Sequence, residues 1–318
     1  MRALVTGAAG FIGSHLVDRL LDDGHQVVGV DSLTDYYDVS QKRHNLAGAL
    51  DNEAFSFVEA DLVTADLEAI VGDADVIFHH AAQPGVRGSW ADGFRLYATN
   101  NVLATQRLLE AAVAVGGARF VYASSSSIYG NAARYPTRED DLPLPHSPYG
   151  VTKLAGEHLC SLYGNTKGLH VTALRYFTVY GPRQRPDMGV HRFIASALAD
   201  EPLPLFGTGE QLRDFTYVDD VVEANVRAAT ANIDSGLVCN IAGGSVTSIL
   251  DLLTTLGDLL DRPMTVQRLE PQSGDVTVTH ASSMLAQRAL RWHANVTLAD
   301  GLERQIAWQA ERHEGRPS

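Results

Sequence analysis

The chain contains few cysteines and few basic residues. The first shortage bears on its redox compartment and the second on the partners it can bind. Two cysteines in 318 residues cannot build a disulfide framework, so we predict buried free thiols at Cys160 and Cys239 and a reducing compartment. Lysine and arginine number 25 against 38 acidic residues, which gives a net charge of -13. Nucleic acids and anionic membranes bind clustered cations, so neither is expected as a partner, although a small anionic substrate needs only a few local cations.

Long hydrophobic runs are also missing. No apolar stretch approaches the roughly 20 residues of a membrane-spanning helix. The first predicted strand begins at Arg2, which leaves no room for a signal peptide, and we therefore expect a cytoplasmic protein. Hydrophobic residues still make up 45% of the chain and charged residues 20%, so a packed core is expected in one large domain or two modest ones.

Strand and helix patterns alternate through the first half of the chain, which predicts an α/β fold with a doubly wound parallel sheet of the Rossmann type. The pattern loosens near residue 178, where short segments rich in proline and glycine predict a smaller C-terminal substrate-binding domain. We assign 1–177, with 214–241 rejoining it, to the first domain, and 178–213 with 242–318 to the second. The predicted strands are 2–6, 25–30, 55–59, 75–78, 119–123, 170–175 and 237–241, and the predicted helices are 11–23, 95–115, 148–163, 217–230 and 299–309.

A glycine-rich loop joins the first strand to the first helix. Gly7, Gly10 and Gly13 permit a tight turn and let the backbone approach a pyrophosphate, which then sits at the helix N-terminus. Asp31 ends the second strand, where a carboxylate can accept from both ribose hydroxyls and repels a 2′-phosphate. NAD is therefore favoured over NADP. Asp61 follows the third strand and is either near the adenine or a solvated loop residue.

Tyr149 and Lys153 are the strongest candidates for catalysis. They are at i and i+4, so they share one face of a helix for which Ser147 is the predicted N-cap and Pro148 the first residue. The lysine, the helix dipole and an oxidised nicotinamide would each stabilise a phenolate, so we predict that the pKa of Tyr149 falls towards neutrality, as a general base requires. A surface tyrosine and lysine is the alternative, and the upstream glycine loop disfavours it.

Further motifs lie at 81–83, 124–130, 175–182, 213–220 and 274–276. Together with 6–13 and 149–153, they make nearly the whole chain resemble the extended short-chain dehydrogenases that act on nucleotide sugars. Narrower features, namely the 84–87 loop, the Phe177-Thr178 pair and 185–188, resemble the UDP-glucuronate 4-epimerase branch; galactose epimerases usually carry Asn where Thr178 stands. His79-His80 departs from a more usual His-Leu pair, and we expect no metal there, because neighbours on a strand point to opposite faces.

The resemblance implies a set of site residues, a cofactor and partners. It implies tightly bound NAD, a UDP-sugar substrate and a homodimer formed by helices 95–115 and 148–163. Ser125 would bond the reacting hydroxyl and Lys153 the nicotinamide ribose, as catalytic residues with Tyr149. The implied cofactor residues are Gly7, Gly10, Phe11, Ile12, Gly13, Asp31, Ser32, Asp61, Leu62, Ala81, Ala82, Gln83, Asn100, Tyr149, Lys153 and Phe177. The implied substrate residues are Pro84, Gly85, Val86, Arg87, Ser125, Ser126, Ser127, Tyr149, Thr178, Arg185, Arg192, Phe206, Gln211, Arg213, Asp275 and Thr279.

The resemblance also implies that Arg213 binds the diphosphate, a role that suits a planar and always charged guanidinium. A salt bridge with Asp214 or Asp219 is the alternative. A glucuronate oxidised at C4 is a β-keto acid, which loses CO₂ when its carboxylate aligns with the carbonyl. Ser126, Ser127 and Thr178 could fix the carboxylate, with Arg185 neutralising it from farther away; the two serines could equally be polar strand-end residues.

The serine run 124–127 bears on which reaction follows oxidation at C4. Related dehydratases and decarboxylases read Thr-Asp-Glu or Ser-Glu in this stretch, whereas this chain has no carboxylate there, and an epimerase needs none. We therefore predict C4 epimerisation of UDP-glucuronate to UDP-galacturonate through a 4-keto intermediate. The alternatives are a UDP-glucose/UDP-galactose 4-epimerase, a UDP-glucuronate decarboxylase, and a non-catalytic NAD-binding protein.

Overall fold

The computed structural model describes residues 1–270, 274 and 276–314 and is centred on a seven-stranded parallel sheet. The strands, in chain order, are β1 Arg2–Thr6, β2 Gln26–Asp31, β3 Phe55–Glu59, β4 Val76–His79, β5 Arg119–Ser125, β6 Val171–Tyr176, β7 Val179–Tyr180, β8 Leu203–Phe206, β9 Leu212–Tyr217, β10 Leu237–Ile241, β11 Ser245–Ser248 and β12 Val266–Leu269. The order in the large sheet is β10-β6-β5-β4-β1-β2-β3. This arrangement confirms the predicted fold class.

The described helices cover both faces of this sheet. They are α1 Phe11–Asp22, α2 Val39–Leu50, α3 Leu67–Val71, α4 Phe94–Tyr97, α5 Ala104–Val115, α6 Pro148–Lys167, α7 Gly189–Leu198, α8 Val218–Thr230, α9 Ile249–Leu260, α10 Met284–Leu290 and α11 Leu298–Glu314. Side chains alternate across the sheet, so that Val5 and Phe78 belong to the core under α1 and α8, while Leu4 and Ile77 belong to the core under α5 and α6. Burial on both faces explains why these strands are almost continuously apolar.

The strand order reverses between β1 and β4, and this reversal places the main cleft. β1 pairs with β2 on one side and with β4 on the other, all parallel. The connections after β1 and after β4 therefore leave the sheet in opposite directions. In open parallel sheets such a point opens a crevice at the carboxyl ends of the strands.

Two small sheets lie beyond the large one. β7, β9 and β11 form a three-stranded sheet, and β8 pairs with β12. The chain then returns to the large sheet, because β10 pairs with β6 and α8 packs on α1. The assignment of domains to the predicted residue ranges remains a prediction.

Several features differ from the expectations. Helices α2, α3, α7, α9 and α10 and the strands of the two small sheets were not predicted. The helix expected at 95–115 contains a π-helical segment, Ala98–Leu103, between α4 and α5. π-Helical turns are rare and concentrate at functional sites.

Cys160 and Cys239 are free and buried, as predicted. None of the helices in the described part of the chain is long and apolar enough to cross a membrane.

Candidate active site

The glycine turn between β1 and α1 is packed so closely that side chains are excluded. Gly7 has a φ of +69°, and a Cβ placed on it would lie 2.8 Å from the backbone nitrogen of Ala81. A Cβ on Gly13 would collide with the carbonyl oxygen of Gly7. α1 begins after Gly10, which has no side chain to cap the first amides of the helix. The turn therefore presents bare backbone and a helix N-terminus, which suits a pyrophosphate.

The carboxylate of Asp31 is fixed at the end of β2 by backbone amides. Its Oδ2 accepts from the amide of Ala9 at 3.2 Å and its Oδ1 from the amide of Leu33 at 2.9 Å. Burial raises the pKa of Asp31, and Lys42 and the two amides oppose that shift. The remaining acceptor capacity faces a cavity, where ribose hydroxyls could donate to it.

This cofactor cavity lies at the strand-order reversal and has a volume of about 250 Å³. All but one of the predicted cofactor residues line it: Gly7, Gly10, Phe11, Ile12, Gly13, Asp31, Ser32, Asp61, Leu62, Ala81, Ala82, Gln83, Asn100, Tyr149 and Lys153. The exception is Phe177, which is buried against the Tyr129 ring with 6.2 Å between ring centroids. Phe177 turns into the core, whereas its neighbour Thr178 lines two other cavities. The cofactor role of Phe177 stays a prediction.

Sequence reasoning missed several residues of the cofactor cavity. The missed residues are Val30, Thr34, Tyr36, Tyr37, Lys42, Ala60, His80, Ala104, Ala123, Ser124 and Tyr176. Lys42 could have been found from the sequence, because it shares a helix face with Val39, Leu46 and Ala49, where an apolar residue is expected. The two adjacent histidines separate as expected for a strand: His79 bonds Thr6 and Thr105 inside the core, and His80 lines the cavity.

The π-helical segment positions the cavity wall. Asn100 lines the cavity, while Asn101 is buried and forms hydrogen bonds with both the amide and the carbonyl of Gln83. The amide of Gln83 donates to Asn101 Oδ1 at 2.6 Å, and Asn101 Nδ2 donates to the carbonyl of Gln83 at 3.1 Å. Nδ2 also lies 3.0 Å from the hydroxyl of Thr152 on α6. The loop after β4 is thereby tied to the helix that carries Tyr149.

Tyr149 lies in the first turn of α6, whose N-cap Ser147 accepts from the amide of Gly150 at 3.1 Å. The phenol of Tyr149 is hydrogen-bonded to Ser125 at the end of β5. Burial raises the pKa of Tyr149, and the Ser125 bond and the charge of Arg185 only partly offset it. Among the protein groups, desolvation therefore outweighs the favourable charges. The predicted fall of this pKa also counts the charge of an oxidised nicotinamide, and it stays a prediction.

Lys153 lies one helical turn beyond Tyr149 and is buried. Its Nζ lies 4.7 Å from the centroid of the Tyr122 ring, so the ammonium contacts an aromatic face. Burial lowers the pKa of Lys153 to about 8, against the charges of Cys160 and Glu157. At neutral pH the side chain remains largely a cation, which lets it donate to a ribose hydroxyl and stabilise a phenolate.

A buried ion pair lies close to the candidate catalytic residues Tyr149 and Lys153. Glu157, one turn beyond Lys153, pairs with Arg175 of β6 through both carboxylate oxygens. Glu157 also accepts from the hydroxyl of Ser124 at 2.8 Å. Arg175 in turn bonds the Tyr129 hydroxyl and the carbonyl of Glu139. The pair is thus fully hydrogen-bonded and joins α6 to β5 and β6 next to Ser125.

A second cavity of about 520 Å³ lies beside the small sheets. Its size falls within the range of small-molecule sites. Phe206 stands between two guanidinium groups, with Arg87 at 4.2 Å and Arg192 at 5.7 Å from its ring centroid. The predicted substrate residues that line it are Gly85, Val86, Arg87, Thr178, Arg192, Phe206, Gln211 and Arg213. An aromatic ring flanked by cations is suited to a base and its phosphates.

A third cavity, of about 200 Å³, adjoins the second one and is lined by Ser147, two residues before Tyr149. It shares Val86, Arg87, Thr178 and Arg213 with the second cavity and adds Ser126, Ser127 and Thr279 from the predicted set. The hydroxyls of Ser126, Ser127 and Thr178, the three predicted to hold a carboxylate, therefore share one small space with two arginines. Ser147 and Thr279 add two further hydroxyls to its lining. Asp275 lies outside the described residues.

Several predicted substrate residues lie outside this third cavity, among them Arg185 and Pro84. Arg185 lines the cofactor cavity, where its guanidinium binds Asp187 at 2.9 and 3.0 Å, so it does not join the three hydroxyls. Pro84 lines the cofactor cavity, and its carbonyl accepts from Tyr97 at 2.8 Å. Arg213 donates to the carbonyl of Leu212 at 2.8 Å. In the described part of the chain, no cluster of three or more His, Cys, Asp or Glu could hold a metal ion.

Comparison with known proteins places this geometry in one family. The sequence profile of the NAD dependent epimerase/dehydratase family matches residues 3–242. An uncharacterized UDP-glucose epimerase of Bacillus subtilis is 42% identical over 99% of this chain and 100% of its own length. A UDP-glucuronate 4-epimerase of Thermodesulfobacterium geofontis is 36% identical, covering 98% and 97%. The crystal structure of a UDP-glucuronic acid 4-epimerase from Bacillus cereus with UDP-glucuronic acid and NAD superposes with a TM-score of 0.96 at 43% identity, covering 98% and 100%.

Proposed function

The chain belongs to the NAD dependent epimerase/dehydratase family, and we propose that it is an NAD-dependent UDP-sugar 4-epimerase whose main substrates are UDP-glucuronate and UDP-galacturonate. The lining of the third cavity is the observation that favours an acid sugar over a neutral one. There Ser126, Ser127 and Thr178 offer hydroxyl donors beside Arg87 and Arg213. Hydroxyl donors next to cations favour a carboxylate on the sugar and a diphosphate behind it.

The residues of the cofactor cavity fit NAD. The crowded turn at Gly7 and Gly13 admits only backbone beside a pyrophosphate, and the anchored carboxylate of Asp31 suits unphosphorylated ribose. Tyr149 and Lys153 line the same cavity next to the sugar site. When bound, NAD supplies a hydride acceptor for C4 of the sugar and returns the hydride in the same catalytic cycle.

Tyr149 moves the proton that balances this exchange. Its phenolate oxygen takes the proton of the sugar O4 hydroxyl as C4 becomes a ketone, and its phenol returns a proton when C4 is reduced on the other face. Ser125 bonds the Tyr149 phenol and stands where it can also orient O4. Lys153, whose pKa of about 8 keeps it mostly charged at neutral pH, stabilises the phenolate.

Epimerisation also requires the sugar ring to turn over while the nucleotide stays in place. The second cavity can hold the nucleotide through Phe206, Arg192 and Arg213, while the adjoining third cavity holds the sugar. The three hydroxyls would keep the C6 carboxylate away from alignment with the C4 carbonyl, which suppresses loss of CO₂.

A panel of UDP-sugars tests the proposal. Purified enzyme receives UDP-glucuronate, UDP-galacturonate, UDP-glucose or UDP-galactose without added NAD, and products are identified by NMR together with released CO₂. We expect the two acid sugars to interconvert with kcat/KM at least about tenfold above the neutral pair, the size of one lost charge-assisted hydrogen bond. The relative from Bacillus subtilis favours a UDP-glucose 4-epimerase as the second candidate, and a faster neutral pair would support it. Stoichiometric CO₂ would indicate a decarboxylase.

We also propose a homodimer in the cytoplasm, formed by α4 to α6. Val151 and Leu162 are eleven residues apart on α6 and share a helix face. Leu96 lies on α4 and Leu103 at the end of the π-helical segment, and all four side chains are 45–52% exposed. Light scattering should give a dimer for the parent and a monomer for Leu103→Glu/Leu162→Glu. The control Leu142→Glu, at a residue 75% exposed elsewhere, should remain dimeric. A monomeric parent at micromolar concentration would contradict the proposal.

A further inference from the structure

A cation lies beside Asp31 at the ribose end of the cofactor cavity. Lys42 of α2 lines the cavity, and its Nζ is 3.9 Å from Asp31 Oδ1. Both side chains are largely buried, with 7% and 10% of their surface exposed. The recognised role of a carboxylate at this position is to accept from ribose hydroxyls. Lys42 pairs with Asp31, and a buried lysine at this point can also bind a phosphate.

Two contacts besides the ion pair with Asp31 hold Lys42 in place. Its ammonium also lies 3.2 Å from the hydroxyl of Thr34 and 5.0 Å from the centroid of the Tyr37 ring. The preceding turn of α2 is fixed by Asp38, which accepts from the amide of Ser40. Replacing Asp31 by a neutral residue should therefore leave the cation in the cavity wall.

A hydrogen-bond donor stands next to this cation. The hydroxyl of Tyr37 is buried, Tyr37 lines the cavity, and the hydroxyl has no hydrogen-bond partner among the described residues. A buried hydroxyl without a partner is uncommon, because its desolvation is then uncompensated. Lys42 and Tyr37 thus present one cation and one free donor side by side, which is the chemistry that binds a phosphate.

We propose that Lys42 and Tyr37 form a preformed acceptor for the 2′-phosphate of NADP, and that the carboxylate of Asp31 blocks its use. The inference rests on the proposed function, because it assumes that the cavity binds a dinucleotide. Asp35 and Glu59 also act electrostatically on this cluster, on Lys42 and Asp31 respectively. Both remain when Asp31 is replaced, so we expect NADP to be accepted beside NAD and not to displace it fully.

A nucleotide-exchange experiment tests this without any turnover. Each purified protein is incubated with equimolar NAD and NADP and desalted, and the bound nucleotides are released by denaturation and quantified by liquid chromatography. The parent should carry NAD. Asp31→Asn should raise the bound ratio of NADP to NAD at least about tenfold, the value of one charge-assisted hydrogen bond together with the removed repulsion. Asp31→Ser is measured in parallel as a smaller replacement.

Double variants separate Lys42 from a general loss of negative charge. Asp31→Asn/Lys42→Gln should lose most of the NADP gained, and Asp31→Asn/Tyr37→Phe a smaller part of it. Asp31→Asn/Arg43→Gln is the matched control, because Arg43 is the next residue, is mostly exposed and pairs with Glu59; it should keep the gain. An unchanged ratio in both Asp31 variants, or an equal gain with and without Lys42, would overturn the inference. A parent that binds neither nucleotide would instead refute the proposed function.

Discussion

The cofactor end and the sugar end of the cleft are built in different ways. Gly7, Asp31 and Ala81 follow neighbouring parallel strands, and the register of the sheet, with Thr6 opposite Val30 and His79, brings them together. Once the sheet forms, these positions are fixed by backbone hydrogen bonds. The cofactor end is therefore determined by short motifs whose spacing within the chain already contains the geometry.

The sugar end is assembled from separate segments. Ser126 and Ser127 lie in a 3₁₀ turn after β5, Arg87 in a 3₁₀ turn after β4, Thr178 between β6 and β7, and Arg213 on β9 of the small sheet. Their meeting depends on how the small sheets pack on the large one. We infer that changes at the cofactor end decide whether the chemistry occurs, whereas changes at the sugar end decide which sugar reacts and how cleanly.

Tyr149→Phe should have the largest effect. It removes the only proposed proton route at C4, so turnover should fall by about 10²- to 10⁴-fold, while NAD remains bound because the glycine turn and Asp31 are untouched. Rate assays and quantification of copurified NAD measure the two effects separately. A variant that keeps a tenth of the parent rate would remove Tyr149 from this role.

Glu157→Ala should cause the largest loss of stability at the cofactor end. It leaves the buried guanidinium of Arg175 without its carboxylate, which typically costs about 3–5 kcal/mol. Urea denaturation measures the change. The comparison is Asp23→Ala, which breaks an exposed pair with Arg19 on α1 and should cost less than about 1 kcal/mol. Similar losses in both variants would show that the buried pair is not a specific support.

Lys153→Met should stabilise the fold at neutral pH while abolishing turnover. The pKa of Lys153 is lowered from 10.5 to about 8, so the unfolded chain binds this proton more tightly than the folded one. The Met variant should gain about 3 kcal/mol near neutral pH. This gain should shrink as the pH rises from about 8 to 10.5, because the unfolded lysine then also loses its proton. A gain that does not vary with pH would contradict the assignment.

Thr178→Ala should have the smallest of these effects and a different character. Loss of one hydrogen bond of about 2 kcal/mol to the carboxylate should slow epimerisation of UDP-glucuronate roughly thirtyfold and raise the share of 4-keto-pentose by-product. UDP-glucose, if it is accepted, serves as the matched control, because it has no carboxylate to lose the bond. Equal slowing of both sugars, without by-product, would make Thr178 a packing residue.

The sequence predicted the cofactor end of the cleft better than the sugar end, because short motifs build the first and separate segments build the second. The bounds of β1 and β3 and the i, i+4 placement of Tyr149 and Lys153 agree with the structure, because each rests on local periodicity. α2 was missed because it buries Gln41 and Asn45, whose partners, the carbonyls of Arg183 and Ala9, come from other segments and blur the amphipathic pattern.

The orientation of side chains in irregular segments also could not be predicted from the sequence. Phe177 turns into the core, and Arg185 turns to Asp187 and the cofactor cavity instead of towards the three hydroxyls. Burial, which spacing does not reveal, outweighs the nearby protein charges on Tyr149 and raises its pKa. Each of these depends on tertiary packing and not on the order of residues in one motif.

The return of the C4 hydride to the same sugar is the central claim, and isotope tracing tests it most directly. UDP-glucuronate carrying deuterium at C4 is incubated with the enzyme without added NAD, and the UDP-galacturonate formed is examined by NMR and mass spectrometry. We predict that the deuterium is retained at C4 of the product, because the hydride goes to bound cofactor and comes back to the opposite face. Loss of the label to solvent, or release of CO₂ in place of the C4 epimer, would contradict the account.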